Sequence, residues 1–430
     1  MAKITFLGAG SVVFTRQLLT DLYRFEDLPA VEICLYDIDP ERLEVALETA
    51  RNVAQQLGVE PQVSATGVLK EALVSAQFVV NMIQVEGVEG TRKDLSVPFD
   101  YGLTQTIGDT TGVGGIFRGL RTFPVLSEFA ATMEQVCPDA LFLNYTNPMC
   151  MNVWWMSKVA PSIKAYGLCH SVHWTAHDLS ELIGVPFDEV TYEAAGVNHQ
   201  AWLTKWERNG ESLYPVLDQY IADHPQMLRR VRVEIYRRIG FYPTETSEHS
   251  SEYLDWFLRS PEQVRKYRIK PLQYLGESEE IVEEFAEARR ALDAGEGLPL
   301  HDEGAEYAPQ IIHSILTGTP RHIHVNVPND ELIDNLPQGA VVEVPAIVDG
   351  NGITPMHYGR IPLIGMALNR TYLSVAEMTV EAALVGDREL VKQAALIDPN
   401  ASSTLTPDQI WQLCEELFEA HRDYLPKSLR

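Results

Sequence analysis

Residues 3–7 form a short apolar run that ends in Gly8-Ala9-Gly10-Ser11, and Val12, Leu18, Leu19, Leu22 and Phe25 follow at near-helical spacing. A strand that turns through glycines into a helix is the opening unit of an open parallel sheet. Gly8 permits the tight turn, and Gly10 lets a pyrophosphate approach the backbone at the helix N-terminus. Val13 stands where a third glycine is usual, so the turn alone is weak evidence. A second apolar run, 31–36, closes on Asp37-Ile38-Asp39-Pro40. An acid at that strand end accepts hydrogen bonds from an adenosine ribose. Asp37 would repel a 2′-phosphate, which favours NAD over NADP, while Asp39 before Pro40 reads as a helix cap. Gly8, Gly10, Ser11 and Asp37 are the candidate cofactor contacts.

The alternation continues with a helix over 41–57, a buried strand over 78–84 and another over 140–145. The expected class is α/β: a Rossmann-type, doubly wound sheet over 1–168, then an α+β domain over 169–430 that carries the metal and substrate site and the oligomer contacts.

Composition removes several alternatives. A formal net charge of -26 argues against nucleic acid and anionic membrane as partners, since phosphates would be repelled. No stretch approaches the ~20 apolar residues of a membrane-spanning helix. Five cysteines, at 34, 137, 150, 169 and 414, suggest no disulfide framework. With no signal-peptide pattern at the N-terminus, a reduced, cytoplasmic protein is expected.

Candidate chemistry lies at predicted strand ends, where open α/β sheets bind ligands. The run 163–167 leads into Leu168-Cys169-His170-Ser171, with a helix over 174–182. A cysteine and a histidine at such a turn can bind a metal, attack a substrate or move a proton. The strand over 140–145 closes on Asn144-Tyr145-Thr146-Asn147-Pro148, where Asn147, held extended before proline, points its amide into the same crevice. The interval 85–117, rich in glycine and charge, reads as a long irregular segment over the cofactor; it holds Arg92, suited to clamp hydroxyls, and Asp109, suited to orient a base.

Beyond Ser171 the alternation breaks down. Strands over 190–196 and 201–206 flank Val197-Asn198-His199-Gln200. An Arg-rich helix is expected over 226–239, a polar loop over 243–254 and an acidic helix over 279–294. Next come a helix over 308–316, strands over 321–327 and 341–348, a long helical region over 364–395 and a last helix over 406–424. His199 is too distant in sequence from Cys169 for a local metal knuckle, so only the fold can unite them.

Taken together, Gly8-Ala9-Gly10-Ser11, Gly108-Asp109-Thr110-Thr111-Gly112, Asn144 to Pro148, Cys169-His170-Ser171 and Gly196-Val197-Asn198-His199 resemble glycoside hydrolase family 4, over nearly the whole chain. The family's layout resembles that of lactate and malate dehydrogenases. Cys-His-Ser-Val at 169–172 looks like its α-galactosidase branch, and a 6-phosphorylated sugar is disfavoured.

The resemblance implies NAD and a divalent metal, usually Mn²⁺. It implies oxidation of the sugar at C3, loss of the C2 proton, departure of the C1 group, addition of water and return of the hydride, outside the usual two-carboxylate scheme. Residue by residue, it makes Cys169 and His199 metal ligands, Asn147, Arg92 and His170 substrate contacts, and His170 the acid. Tyr253, in Ser251-Glu252-Tyr253-Leu254, becomes the base with Asp255 as competitor, and Asp109 the acid that raises the basicity of the tyrosine. Dimers or tetramers are common in the family. The competing readings are another α-glycosidase of the same family (α-glucosidase or α-glucuronidase), a simple NAD-dependent 2-hydroxy-acid dehydrogenase and a non-catalytic nucleotide-binding sensor.

Overall fold

The computed structural model describes all residues except 301–303 and 305. Among the described residues thirteen strands join into one sheet. They are β1 (Ala2–Leu7), β2 (Val31–Tyr36), β3 (Gln62–Thr66), β4 (Phe78–Asn81), β5 (Leu141–Asn144), β6 (Lys164–Gly167), β7 (Val190–Val197), β8 (Gln200–Arg208), β9 (Glu211–Ser212), β10 (Tyr242–Pro243), β11 (Arg321–Pro328), β12 (Val341–Asp349) and β13 (Gly352–Pro355). The order β3-β2-β1-β4-β5-β6 is all parallel. This is the doubly wound order of a dinucleotide-binding domain. Residues of β1, β2 and β4 are almost all buried, as expected for strands covered by helices on both faces.

At β6 the sheet changes character without a break. β11 pairs antiparallel with β6, and β12, β7, β8 and β10 follow antiparallel. Helices Ser171–Leu182 and Val231–Ile239 pack with β7 and β8 around a second apolar cluster that includes Val172, Leu203, Trp206 and Val233. The larger cluster runs from Ala2 to Leu429, so the C-terminal helices share the core of the parallel half.

The helix Pro40–Leu57 starts as expected: the Asp39 side chain accepts from the N–H groups of Glu41 and Arg42. Several expectations need correction. The interval 85–117 is mostly helical, with Gly87–Asp100 and the start of Gly112–Val136. Its glycines divide between two roles: Gly87, Gly102, Gly108 and Gly112 take left-handed backbone, whereas a Cβ on Gly114 or Gly115 would meet Gly108, Thr110 and Asp94 backbone atoms within 3.0 Å. The Arg-rich segment divides into a 3-10 turn, Pro225–Arg229, and the helix Val231–Ile239. The polar loop contains the short helix Ser247–Glu252, and the long helical region breaks at Gly386-Asp387 into Leu363–Val385 and Arg388–Ile397.

The last helix, Pro407–Ala420, packs on Gly87–Asp100 and Arg388–Ile397. At its end His421 is fully buried between two acids, with Nδ1 2.9 Å from Glu86 and Nε2 3.0 Å from Asp94. Arg121 makes a bidentate pair with Asp94, and Lys93 pairs with Glu86. Burial disfavours the imidazolium, but the two carboxylates outweigh it and raise the pKa of His421. A raised folded-state pKa contributes stability that is complete below the unfolded value of about 6.5 and is lost as pH rises through the folded value. Asp94 and Glu86 are both shifted down, so their contribution stays constant above pH 6. Replacing His421 by Gln should cost about 3 kcal/mol or more at pH 6. The difference from the parent in thermal unfolding should narrow as pH is raised from 6 to 9; a difference that widens would refute the charged pairing.

Candidate active site

The carboxyl ends of β1, β4, β5 and β6 lead into one cleft of about 320 Å³. Ser11 and Phe14 line it after β1, Met82 and Gln84 after β4, Asn147 after β5, and Cys169 and His170 after β6. Two larger hollows lie elsewhere, of about 660 Å³ around Asp334 and His357 and about 680 Å³ around Lys158 and Lys164. Neither is lined by a cysteine, and among the described residues neither brings three His, Cys or carboxylate ligand atoms close enough to share an ion.

The cofactor end is built on glycine. Gly8 takes φ +83°, which a side chain rarely adopts, and its N–H donates to the Tyr36 carbonyl at 3.0 Å. A Cβ on Gly10 would lie 2.5 Å from the Asp37 carboxylate, so only glycine fits. The Gly10 N–H donates to Asp37 Oδ2 at 2.7 Å, tying the first turn to the end of β2. A small residue, a helix N-terminus and an acid at the second strand are what a dinucleotide needs, and Gly8, Gly10, Ser11 and Asp37 fit that group.

Opposite lies the cluster of titratable groups. The β7–β8 turn places His199 against Cys169, which sequence distance left to the fold. Cys169, His199 and Glu245 offer three ligand atoms, all within 4.8 Å of one another. His199 Nδ1 is engaged by Thr110 Oγ1 at 3.1 Å, which leaves Nε2 to face the thiol and Glu245. Thr110 Oγ1 in turn donates to Asp109 Oδ1 at 2.7 Å, and Asn147 Nδ2 donates to Asp109 Oδ2 at 2.7 Å. A hydroxyl-relayed carboxylate behind a ligating histidine fixes its tautomer and ring orientation. The Asn147–Pro148 peptide is cis, and the Asn147 amide does line the cleft.

Charge sets the protonation states. Burial would raise Asp109, but His249, Arg118 and His199 hold its carboxyl well below the usual range. Burial likewise opposes ionisation of Glu245, and His249 with His199 overcomes it. The Cys169 thiol is pushed up to about 12 by burial and by Glu245, so a metal that takes it as thiolate must displace the proton. His170 loses to burial but gains more from Glu306, whose Oε1 lies 2.8 Å from its Nδ1; the net pKa is raised to about 10. That imidazole is half-exposed to the cleft and protonated at neutral pH.

Arg92 does not reach the cleft. It lies on the exposed face of Gly87–Asp100, paired with Glu89 and with Glu279 at 2.8 Å. The guanidinium that lines the cleft is Arg118, whose Nε donates to the Asn147 carbonyl at 3.3 Å and which lies over the Tyr274 ring. The role that the resemblance implied for Arg92 as a substrate contact lacks the required geometry. Tyr253 is buried behind His199, with its hydroxyl 3.5 Å from Nδ1, whereas Asp255 is exposed. Burial holds the Tyr253 phenol neutral by raising it well above its ordinary value.

The residues that sequence reasoning missed are Arg118, Glu245, His249, Glu252, Glu306 and Glu343. Glu252 accepts the N–H groups of Ile107 at 3.0 Å and Gly108 at 3.1 Å, and so fixes the loop that carries Asp109. Glu343 is fully buried in β12, and the amides of Asn198 and Asn326 both donate to it at 3.4 Å. A lone acid inside the apolar run 341–348 was a readable signal. So was an arginine inside the buried helix Gly112–Val136. Glu306 carried none.

Comparison with known proteins places this geometry. Residues 3–185 match the model described as Family 4 glycosyl hydrolase, and residues 194–401 match its C-terminal domain. An α-galactosidase of Bacillus subtilis (strain 168) is 39% identical over 432 residues, covering 99% of this chain and 100% of the relative. A putative glucosidase from Bacillus subtilis superposes with a TM-score of 0.86 at 26% identity, covering 97% of this chain and 99% of the other. A 6-phospho-α-glucosidase from gut microorganisms, in complex with NAD and Mn²⁺, superposes with a TM-score of 0.84 at 21% identity, over 99% of each chain. With both family models matched in order and a full-length relative at this identity, the chain belongs to family 4 of the glycosyl hydrolases.

Proposed function

We propose that this protein is an α-galactosidase that uses NAD and a divalent metal, Mn²⁺ by preference. The observation that carries the reading is the union of a glycine-built dinucleotide turn and a Cys169–His199 pair in one cleft. The full-length likeness to an α-galactosidase supplies the sugar. Residues 1–168 hold the cofactor and residues 169–430 supply the metal ligands, although Asp109, Arg118 and Asn147 reach across from the first part.

When bound at the Gly8–Ser11 turn, NAD would supply a reversible hydride acceptor, and a divalent metal held by Cys169 and His199 would supply a Lewis acid for the sugar hydroxyls. The rest falls to side chains. Asn147 and Arg118 orient the hydroxyls, and Asp109 anchors Asn147 and, through Thr110, His199. Tyr253 would be the base for the C2 proton as its phenolate, so it must first give up the phenolic proton that burial and the Asp109 charge hold in place; the same charge makes the phenolate strongly basic once formed. His170 donates to the departing glycosidic oxygen. A simple dehydrogenase has no use for Cys169 and His199 as a pair.

The partner is a sugar, and a homodimer or homotetramer in the cytoplasm completes the reading. No helix among the described residues is long and apolar enough to cross a membrane.

Hydrolysis of p-nitrophenyl α-galactoside should require NAD⁺, Mn²⁺ and a thiol reductant together, and α-glucoside and α-glucuronide should be poor substrates. Full activity in enzyme stripped of cofactor and metal would overturn the mechanism. Tyr253→Phe should lower kcat by about 10² to 10⁴-fold, the worth of a positioned base, and Asp255→Asn should leave kcat near the parent value; the reverse pattern moves the base to Asp255. Arg118→Ala should reduce kcat/KM by about 10²-fold, because misplaced substrate is costly. Arg92→Ala, a change at an exposed site, should stay within about 2-fold.

A further inference from the structure

The carboxylate of Glu245 has no assigned part in the scheme above, yet it lies at the centre of the cleft. Its Oε2 is 3.8 Å from Cys169 Sγ and 3.9 Å from His199 Nε2, while Oε1 is turned to His249 Nδ1 at 3.6 Å. The residue itself sits at φ +71°, a left-handed conformation that L side chains rarely adopt. Strained backbone of this kind persists where the surroundings over-determine it, and it clusters at ligand sites. Here it directs the carboxylate towards the thiol and imidazole rather than into solvent.

We infer that Glu245 is a third protein ligand of the metal, joining Cys169 and His199. The inference rests on the reading that those two residues hold the ion. Three arguments support it. Donors bound to one ion at about 2.0–2.3 Å stand roughly 3–4 Å apart; Glu245 Oε2 already lies at 3.8 and 3.9 Å from the other two donors, and all three atoms lie within 4.8 Å. The charge then balances: a thiolate, a carboxylate and a neutral imidazole cancel a divalent cation in a mostly buried site, where a net charge is costly. The third argument is donor hardness. One thiolate and one imidazole favour Zn²⁺, and a carboxylate oxygen moves the site towards Mn²⁺. Open positions remain on the cleft side for sugar oxygens and water.

The alternative group, Asp109 with His199 and His249, shares His199. Asp109, however, already accepts from Asn147 and Thr110, and a metal there would compete with both bonds. Glu245 is also missing from the motifs that first pointed to the metal, because nothing in Pro243-Thr244-Glu245-Thr246 has ligand spacing.

The test measures Mn²⁺ binding to metal-stripped, NAD-loaded, full-length protein by electron paramagnetic resonance of the free ion. Glu245→Gln should raise the Kd for Mn²⁺ by at least about 10-fold, the least expected when even an outer partner of a metal site is lost. The same variant should shift relative affinity from Mn²⁺ towards Zn²⁺. Glu245→Gly removes the carboxylate and relieves the left-handed backbone, so it should weaken Mn²⁺ equally while unfolding no earlier than the glutamine variant in the metal-free state. If both variants bind Mn²⁺ like the parent while Cys169→Ser does not, Glu245 is no ligand and the Cys169–His199 reading stands. If Cys169→Ser and His199→Ala also bind normally, the metal reading itself falls.

Discussion

Charge compensation inside a mostly buried cleft is the constraint on which the rest of the site depends. Asp109, Glu245 and Glu306 bring carboxylates away from bulk water, and unpaired each would be costly. Each meets a cation or donor from a different part of the chain: Asp109 meets Asn147 and His249, Glu245 meets His199 and His249, and Glu306 meets His170. Only Thr110 to Asp109 and His249 to Glu245 are local in sequence. The groups therefore acquire their protonation states only when the parallel half and the antiparallel extension come together in one sheet. Folding and the assembly of the chemistry are the same event.

The extension explains how a layout shared with dehydrogenases gains a metal site. The parallel strands end on one side of the sheet and deliver Ser11, Asn147, Cys169 and His170 there. That alone supports hydride transfer. The β7–β8 turn then returns to the same edge and sets His199 beside Cys169, and the segment after β10 adds Glu245 and His249. The additional histidines and acids come from outside the βαβ repeat, which is why the repeat by itself says nothing of a metal.

Much of this was legible from residues alone. The apolar runs of β1, β2 and β5 and the turns that close them follow directly from burial on both faces and from glycine geometry. Cys169, His170, Asn147 and Asp109 stand at strand ends or beside them, and the structure brings them to one cleft. β3 went unread because Gln62-Val63-Ser64-Ala65-Thr66 is an exposed edge without an apolar pattern. The helix Gly87–Asp100 was taken for irregular chain because Leu95 is the one large apolar residue on a buried face otherwise made of Gly90, Thr91, Asp94 and Pro98; the ion pair with Arg121 makes Asp94 compatible with the interior beside it. Arg92 entered through the resemblance and the charge of its segment, and Arg118 was not weighed. Spacing cannot tell a solvated guanidinium from a buried one, and the structure marks Arg118 by its place in the cleft and its packing over Tyr274.

The loop over 103–111 shows how far the site depends on residues that touch no substrate. Its backbone N–H groups are collected by Glu252, next to Tyr253, and Leu272 and Tyr274 donate to its carbonyls at Gln105 and Thr106. At its far end the Asp398 carboxylate accepts from Gly112 N–H at 3.2 Å. Asp109 and Thr110 thus hang from a segment fixed by three distant elements. A hydrogen-bond chain that begins at that segment and ends on His199 transmits any slack directly to the metal-facing nitrogen. Precision at the proposed metal therefore comes from backbone donors paired with two buried acids outside the cleft, Glu252 and Asp398.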